Sequence, residues 1–77
     1  MAVTFQFRNQ SAFDNHFEVW DTNNGNAQVY SGNIPSNQSV LITLQTRDGG
    51  DGEMIYCKNN GPRIRQSWIK NGDIINI

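Results

Sequence analysis

The chain has 77 residues, a formal net charge of −1 and a single cysteine, Cys57. That is the length of one small domain, spanning residues 1–77. It rules out an intrachain disulfide and supplies no global field for nucleic acid or an anionic membrane. A chain this short buries only about 60% of its unfolded surface, so it needs an efficient core or a second copy to share one.

The first segment alternates Val3, Phe5 and Phe7 with Thr4, Gln6 and Arg8, which predicts a strand with one apolar face. It lacks the continuous apolar stretch of a secretory signal. No run elsewhere reaches membrane-spanning length. The expected location is therefore the cytoplasm, or release by a route without a signal peptide. Asn9-Gln-Ser11 and Asn37-Gln-Ser39 match the glycosylation acceptor pattern. In a chain where Asn and Gln make up about a fifth of the residues, they read as coincidences.

Period-two alternation continues through Phe17 and Val19, Ala27 and Val29, then Val40, Ile42 and Leu44. Met54-Ile-Tyr-Cys57 is apolar on both faces. Ile64, Trp68 and Ile69 follow, then Ile74, Ile75 and Ile77. No window carries a helical stripe. Asn-Gly occurs at 24–25, 60–61 and 71–72, the dipeptide that suits a type I′ turn. Looser breaks fall at 9–15, 32–35 and 48–52. Six breaks and about seven short strands predict an all-β fold, a small antiparallel β-sandwich.

The last two runs read as a hairpin around Asn71-Gly72. In that register Ile69 faces Ile74 and Trp68 faces Ile75, so each face is partly apolar. One face would need cover. Trp68, Ile69 and Ile74 are therefore the candidate interface of a homo-oligomer.

Arg47-Asp-Gly-Gly-Asp-Gly-Glu53 raises the question of calcium. Asp48, Asp51 and Glu53 supply oxygens, and calcium takes six to eight. The spacing fails an EF-hand, because its third and fifth positions would be Gly50 and Gly52. A glycine-rich hairpin loop with solubilising acids is the simpler reading.

Asp14, His16, Glu18 and Trp20 fall on one side of a strand, opposite Phe17 and Val19. Carboxylates and imidazole can pair with hydroxyls while an indole stacks on a flat apolar surface. With Tyr30, Tyr56 and Trp68 they form a candidate carbohydrate site. Alternate strand residues lie roughly 6.6 Å apart, so Asp14, His16 and Glu18 cannot share one metal ion. One tryptophan is expected to line the core and one to be exposed.

Residues 58–70 hold Lys58, Arg63, Arg65 and Lys70 and no acid. Four cations are few for tracking phosphates, and basic residues on a sheet edge commonly discourage aggregation. Catalysis is not expected. Cys57 reads as a buried thiol, no serine sits in a nucleophile elbow, and His16 is the only imidazole. The sequence thus points to a non-catalytic binding module, carbohydrate-binding first. The alternative is a structural or interaction protein with a protein partner. Neither needs a cofactor unless calcium occupies the 47–53 loop.

Overall fold

The computed structural model describes residues 1–77. In chain order its strands are β1 (Ala2–Arg8), β2 (Asn15–Asp21), β3 (Ala27–Ile34), β4 (Ser39–Gln45), β5 (Gly52–Lys58), β6 (Ile64–Ile69) and β7 (Ile74–Asn76). One 3-10 turn, Thr22–Asn24, follows β2. No helix is long and apolar enough to cross a membrane. The strands form a three-stranded sheet ordered β4-β1-β7 and a four-stranded sheet ordered β3-β2-β5-β6. Every pairing is antiparallel except β1 with β7.

Alternation sorts the side chains as the pleat requires. β1 turns Val3, Phe5 and Phe7 inward, and β4 adds Ile42 and Leu44 from the same sheet. The facing sheet contributes Phe17, Val19, Ile34, Met54, Tyr56 and Ile69. Phe7 is central. Its ring meets Phe17 edge-on at 5.1 Å and Tyr56 at 5.7 Å. Burying one such side chain contributes about 1.5–3 kcal/mol, so this small cluster holds the two layers together.

The C-terminal hairpin does not form. Residues 70–73 instead carry the chain from one sheet to the other, and β7 lies parallel to β1 with Gln6 opposite Ile74. Ile69 is 1% exposed and belongs to the core. It therefore presents no surface for a second copy, unlike Trp68 and Ile74, which are exposed. The two-faced hairpin argument for an oligomer falls with the register that produced it.

The turns also differ from expectation. None of the three Asn-Gly steps provides the pair of left-handed residues of a type I′ turn. At 58–61 the pair is Asn59-Asn60, closed by Gly61 N–H donating to Lys58 O at 2.9 Å, and at the first step the left-handed pair is Gly25-Asn26. At 71–72 only Gly72 has positive φ, at 87°. With Asp73 N–H donating to Lys70 O, this is the pattern of a type II turn.

The 46–51 segment is likewise no hairpin loop, because β4 and β5 lie in different sheets. Gly52 ends this crossing where a Cβ would stand 2.9 Å from Val3 Cγ2 and 3.3 Å from Leu44 Cβ. The close approach of the layers there requires glycine.

Asparagines tie one end of the sandwich. The fully buried Asn9 donates to Phe13 O and Ile34 O and accepts from Ser11 and Asn15. Asn15 in turn accepts from Asn59 at 2.9 Å, and Asn59 Oδ1 accepts the His16 N–H. Part of the unusual asparagine content is thus an internal hydrogen-bonded network, as buried polar groups demand.

Candidate functional site

β2 alternates buried and half-buried positions along its whole length. Phe17 and Val19 enter the core, so His16, Glu18 and Trp20 share the outer face of the four-stranded sheet. Register adds neighbours to that face. Glu18 lies opposite Cys57 and Trp20 opposite Ile55 on β5, Ile55 lies opposite Arg65 on β6, and His16 lies opposite Asn33 on β3. Asp14 precedes the strand, and its carboxylate accepts the Ser36 N–H at 3.0 Å.

Neither tryptophan lines the core, so the expectation of one buried indole is corrected. Both sit under arginines. The Arg63 guanidinium lies 4.3 Å from the centroid of Trp20, and that of Arg47 lies 5.3 Å from the centroid of Trp68. Arg63 precedes β6, so it reaches across β5 to find Trp20. Stacking of this kind contributes about 0.5–1 kcal/mol at an exposed site.

Tyr30 and Tyr56 do not join them. Tyr56 is buried against Phe7, and Tyr30 packs on the core with its ring over Gly32. The carbohydrate constellation therefore loses both tyrosines, while His16, Glu18 and Trp20 remain together.

Trp68 is unusual in its backbone. Between the Gly52–Ile69 and Met54–Gln66 pairs, β6 has two residues where β5 has only Glu53. The extra residue makes a β-bulge, in which Trp68 adopts φ 62°. A bulky side chain in that region is an outlier, and this one is 67% exposed.

Glu53 fills the bulge from below. Its carboxylate accepts from Thr22 Oγ1 at 2.6 Å, Ser67 Oγ at 2.7 Å and Arg65 Nη1 at 3.0 Å, with Arg47 Nη2 at 3.4 Å. The Thr22 and Ser67 hydrogen bonds, then the two arginines, hold its pKa below the usual carboxylate value against the effect of burial. Asp51 is engaged by Lys70 Nζ at 2.9 Å. Asp48 is exposed. Of the three acids considered for calcium, two are thus occupied by cations or hydroxyls. No three His, Cys, Asp or Glu side chains converge anywhere as metal ligands.

Cys57 is buried on this face beneath Glu18, its Sγ 3.5 Å from Glu18 Oε2. Burial first, and the Glu18 contact second, raise its pKa. An open hollow of about 300 Å³ runs along the 46–50 loop beside Met1. It contains none of the candidate aromatic residues.

The pairing of arginines with tryptophans and the hub at Glu53 have no signature in the sequence. Arg47 and Trp68 are distant in sequence, and nothing local signals that they meet. Comparison with protein-family models, with curated proteins and with solved structures found no match.

Proposed function

We propose that this protein is a non-catalytic binding module whose outer four-stranded face holds an acidic, partly apolar protein surface. The observation that carries the reading is Trp68. A bulky residue in the left-handed region costs about 1–3 kcal/mol, and its indole remains mostly in water. Within the fold only the Arg47 stack offsets these costs, and a partner seated on the indole would offset more. Tryptophan and arginine are the residue types that most often dominate protein interfaces.

Charge favours an acidic partner. Arg65 and Lys70 have carboxylate partners within the chain, whereas Lys58 and Arg63 have none. Arg63 is already desolvated on one side by Trp20. Its remaining donors suit a carboxylate, and the half-buried Ile55, on the same face as Trp20 and Arg65, adds apolar area.

A displayed library of random peptides, selected on the folded protein, tests this. Enriched peptides should combine acids with aliphatic or aromatic residues. Their binding should fall at least about tenfold in Trp68→Ala and in Arg63→Glu, the loss of a hot-spot contact. Peptides that bind these variants equally, or a selection without enrichment, would reject the reading. A solution mass above the monomer that Trp68→Ala abolishes would identify the partner as a second copy.

Carbohydrate recognition is the second reading. It rests on Trp20 sharing its face with His16, Glu18 and Asn33, where His16 Nδ1 and Asn33 Oδ1 lie 3.3 Å apart. A glycan array separates the two, because a sugar that stacks on Trp20 must displace Arg63 and should bind better to Arg63→Ala.

A further inference from the structure

The chain contains three Asn-Gly steps, a pairing prone to deamidation. The backbone nitrogen of the glycine attacks the asparagine Cγ, unhindered by a Cβ. A C–N bond forms, the bond to the side-chain NH2 breaks, and ammonia leaves carrying the proton lost by the glycine nitrogen. Water then opens the succinimide ring at either carbonyl, giving aspartate or isoaspartate. The three steps are chemically equivalent in an unfolded chain. The fold makes them different.

At Asn71-Gly72 both reacting groups are held. Asn71 Oδ1 accepts the Thr4 N–H at 2.9 Å, and Gly72 N–H donates to Thr4 O at 2.9 Å. At Asn60-Gly61 the nucleophile is held, since Gly61 N–H closes the type I′ turn on Lys58 O.

Asn24-Gly25 is held only through the 3-10 turn that it ends. Asn24 is exposed. Its neighbour Asn23 is fixed through Asp21 and Gln45 O, but the Asn24 amide makes no hydrogen bond. It ends a single 3-10 turn, a structure of weak hydrogen-bond geometry. Gly25 has φ 63° and open space around it, so the turn can swing into the geometry of attack.

We propose that Asn24 is the deamidation site of the folded protein, with Asn60 and Asn71 protected. The product adds a negative charge to a chain already at −1. It places that charge two residues from Thr22, the hydroxyl that donates to Glu53, and so on the rim of the tryptophan–arginine face. The site itself does not depend on the proposed binding function.

Peptide mapping after incubation in mildly alkaline buffer tests the assignment. Mass locates deamidation, and chromatography separates aspartate from isoaspartate. Asp48-Gly49 can form the same ring, but its isomerisation leaves mass unchanged. Asn24 should convert at least about tenfold faster than Asn71, equivalent to a local opening cost of about 1.4 kcal/mol. In urea the three rates should become similar, and Asn24→Ser should remove the folded-state product. Comparable rates at Asn24 and Asn71 in the folded protein would overturn the proposal. So would faster conversion at Asn60, or an inert Asn24 in folded protein when the urea sample reacts.

Discussion

The Asp21 carboxylate, 1% exposed, bridges the two sheets by accepting the backbone N–H of Gln45 at 2.8 Å. Its other oxygen accepts the Asn23 N–H at 3.1 Å and caps the 3-10 turn. Asp21→Asn keeps one acceptor and sets an amide N–H against the second donor. An unsatisfied buried group costs about 1–3 kcal/mol. Urea unfolding should show the midpoint falling at unchanged slope.

Glu53 predicts an acid limit to stability. Its pKa is lowered on folding from the ordinary value of 4.5, chiefly by the Thr22 and Ser67 hydrogen bonds. The unfolded chain therefore takes up the proton first. The stabilisation is complete above pH 4.5 and is lost as pH falls through the folded value. Melts of wild type and Glu53→Gln should differ near neutrality and converge below pH 4.5.

Trp68→Gly and Trp68→Ala separate strain from contact. Both remove the indole under Arg47, but only glycine accepts φ 62° without penalty. The glycine variant should be the more stable by about 1–2 kcal/mol, the cost of the left-handed conformation for a residue with a Cβ. Both should lose peptide binding. Equal stability of the two would show that position 68 carries no backbone strain.

The two glycosylation acceptor patterns should behave differently in a secretory host. Asn9 is buried with its amide fully engaged, whereas Asn37 is exposed. Any glycan should attach at Asn37 alone, and Asn37→Gln should abolish the mass increase. Asn9→Ala should instead destabilise the fold, because Ile34 O loses the Asn9 side-chain donor and Ser11 and Asn15 lose the Oδ1 acceptor.

Calcium should leave the melt unchanged. Binding at 47–53 would have to displace Lys70 from Asp51 and four donors from Glu53. A ligand that binds only the folded state raises its melting temperature. A calcium-dependent shift reversed by EDTA would show that the loop rearranges into a site.

Much of the candidate site was legible because a strand alternates. Placing Phe17 and Val19 inward compels His16, Glu18 and Trp20 outward, and the same rule turned Val3, Phe5 and Phe7 into the core. The rule also holds at Met54 and Tyr56, but their run is apolar on both faces, and alternation does not say which face is wet, so the sequence does not separate Tyr56 from a surface site. The arginines over the tryptophans, the Thr22, Arg65 and Ser67 hydrogen bonds to Glu53 and the Asn15–Asn59 link left no trace in local spacing, since each joins segments distant in the chain.

The sequence by itself determined the class of fold, the number of strands and most inward positions, because side-chain direction in a strand follows from backbone geometry within two residues. Tertiary structure alone decided that β6 and β7 part into different sheets, that Ile69 enters the core, and that Trp68 is held exposed in a strained bulge. Those outcomes depend on which strand lies alongside which. Strand pairing is set by the summed packing of two layers, and an Asn-Gly step can close a hairpin as a type I′ turn or, as at Asn71-Gly72, form a type II turn in a crossing between sheets.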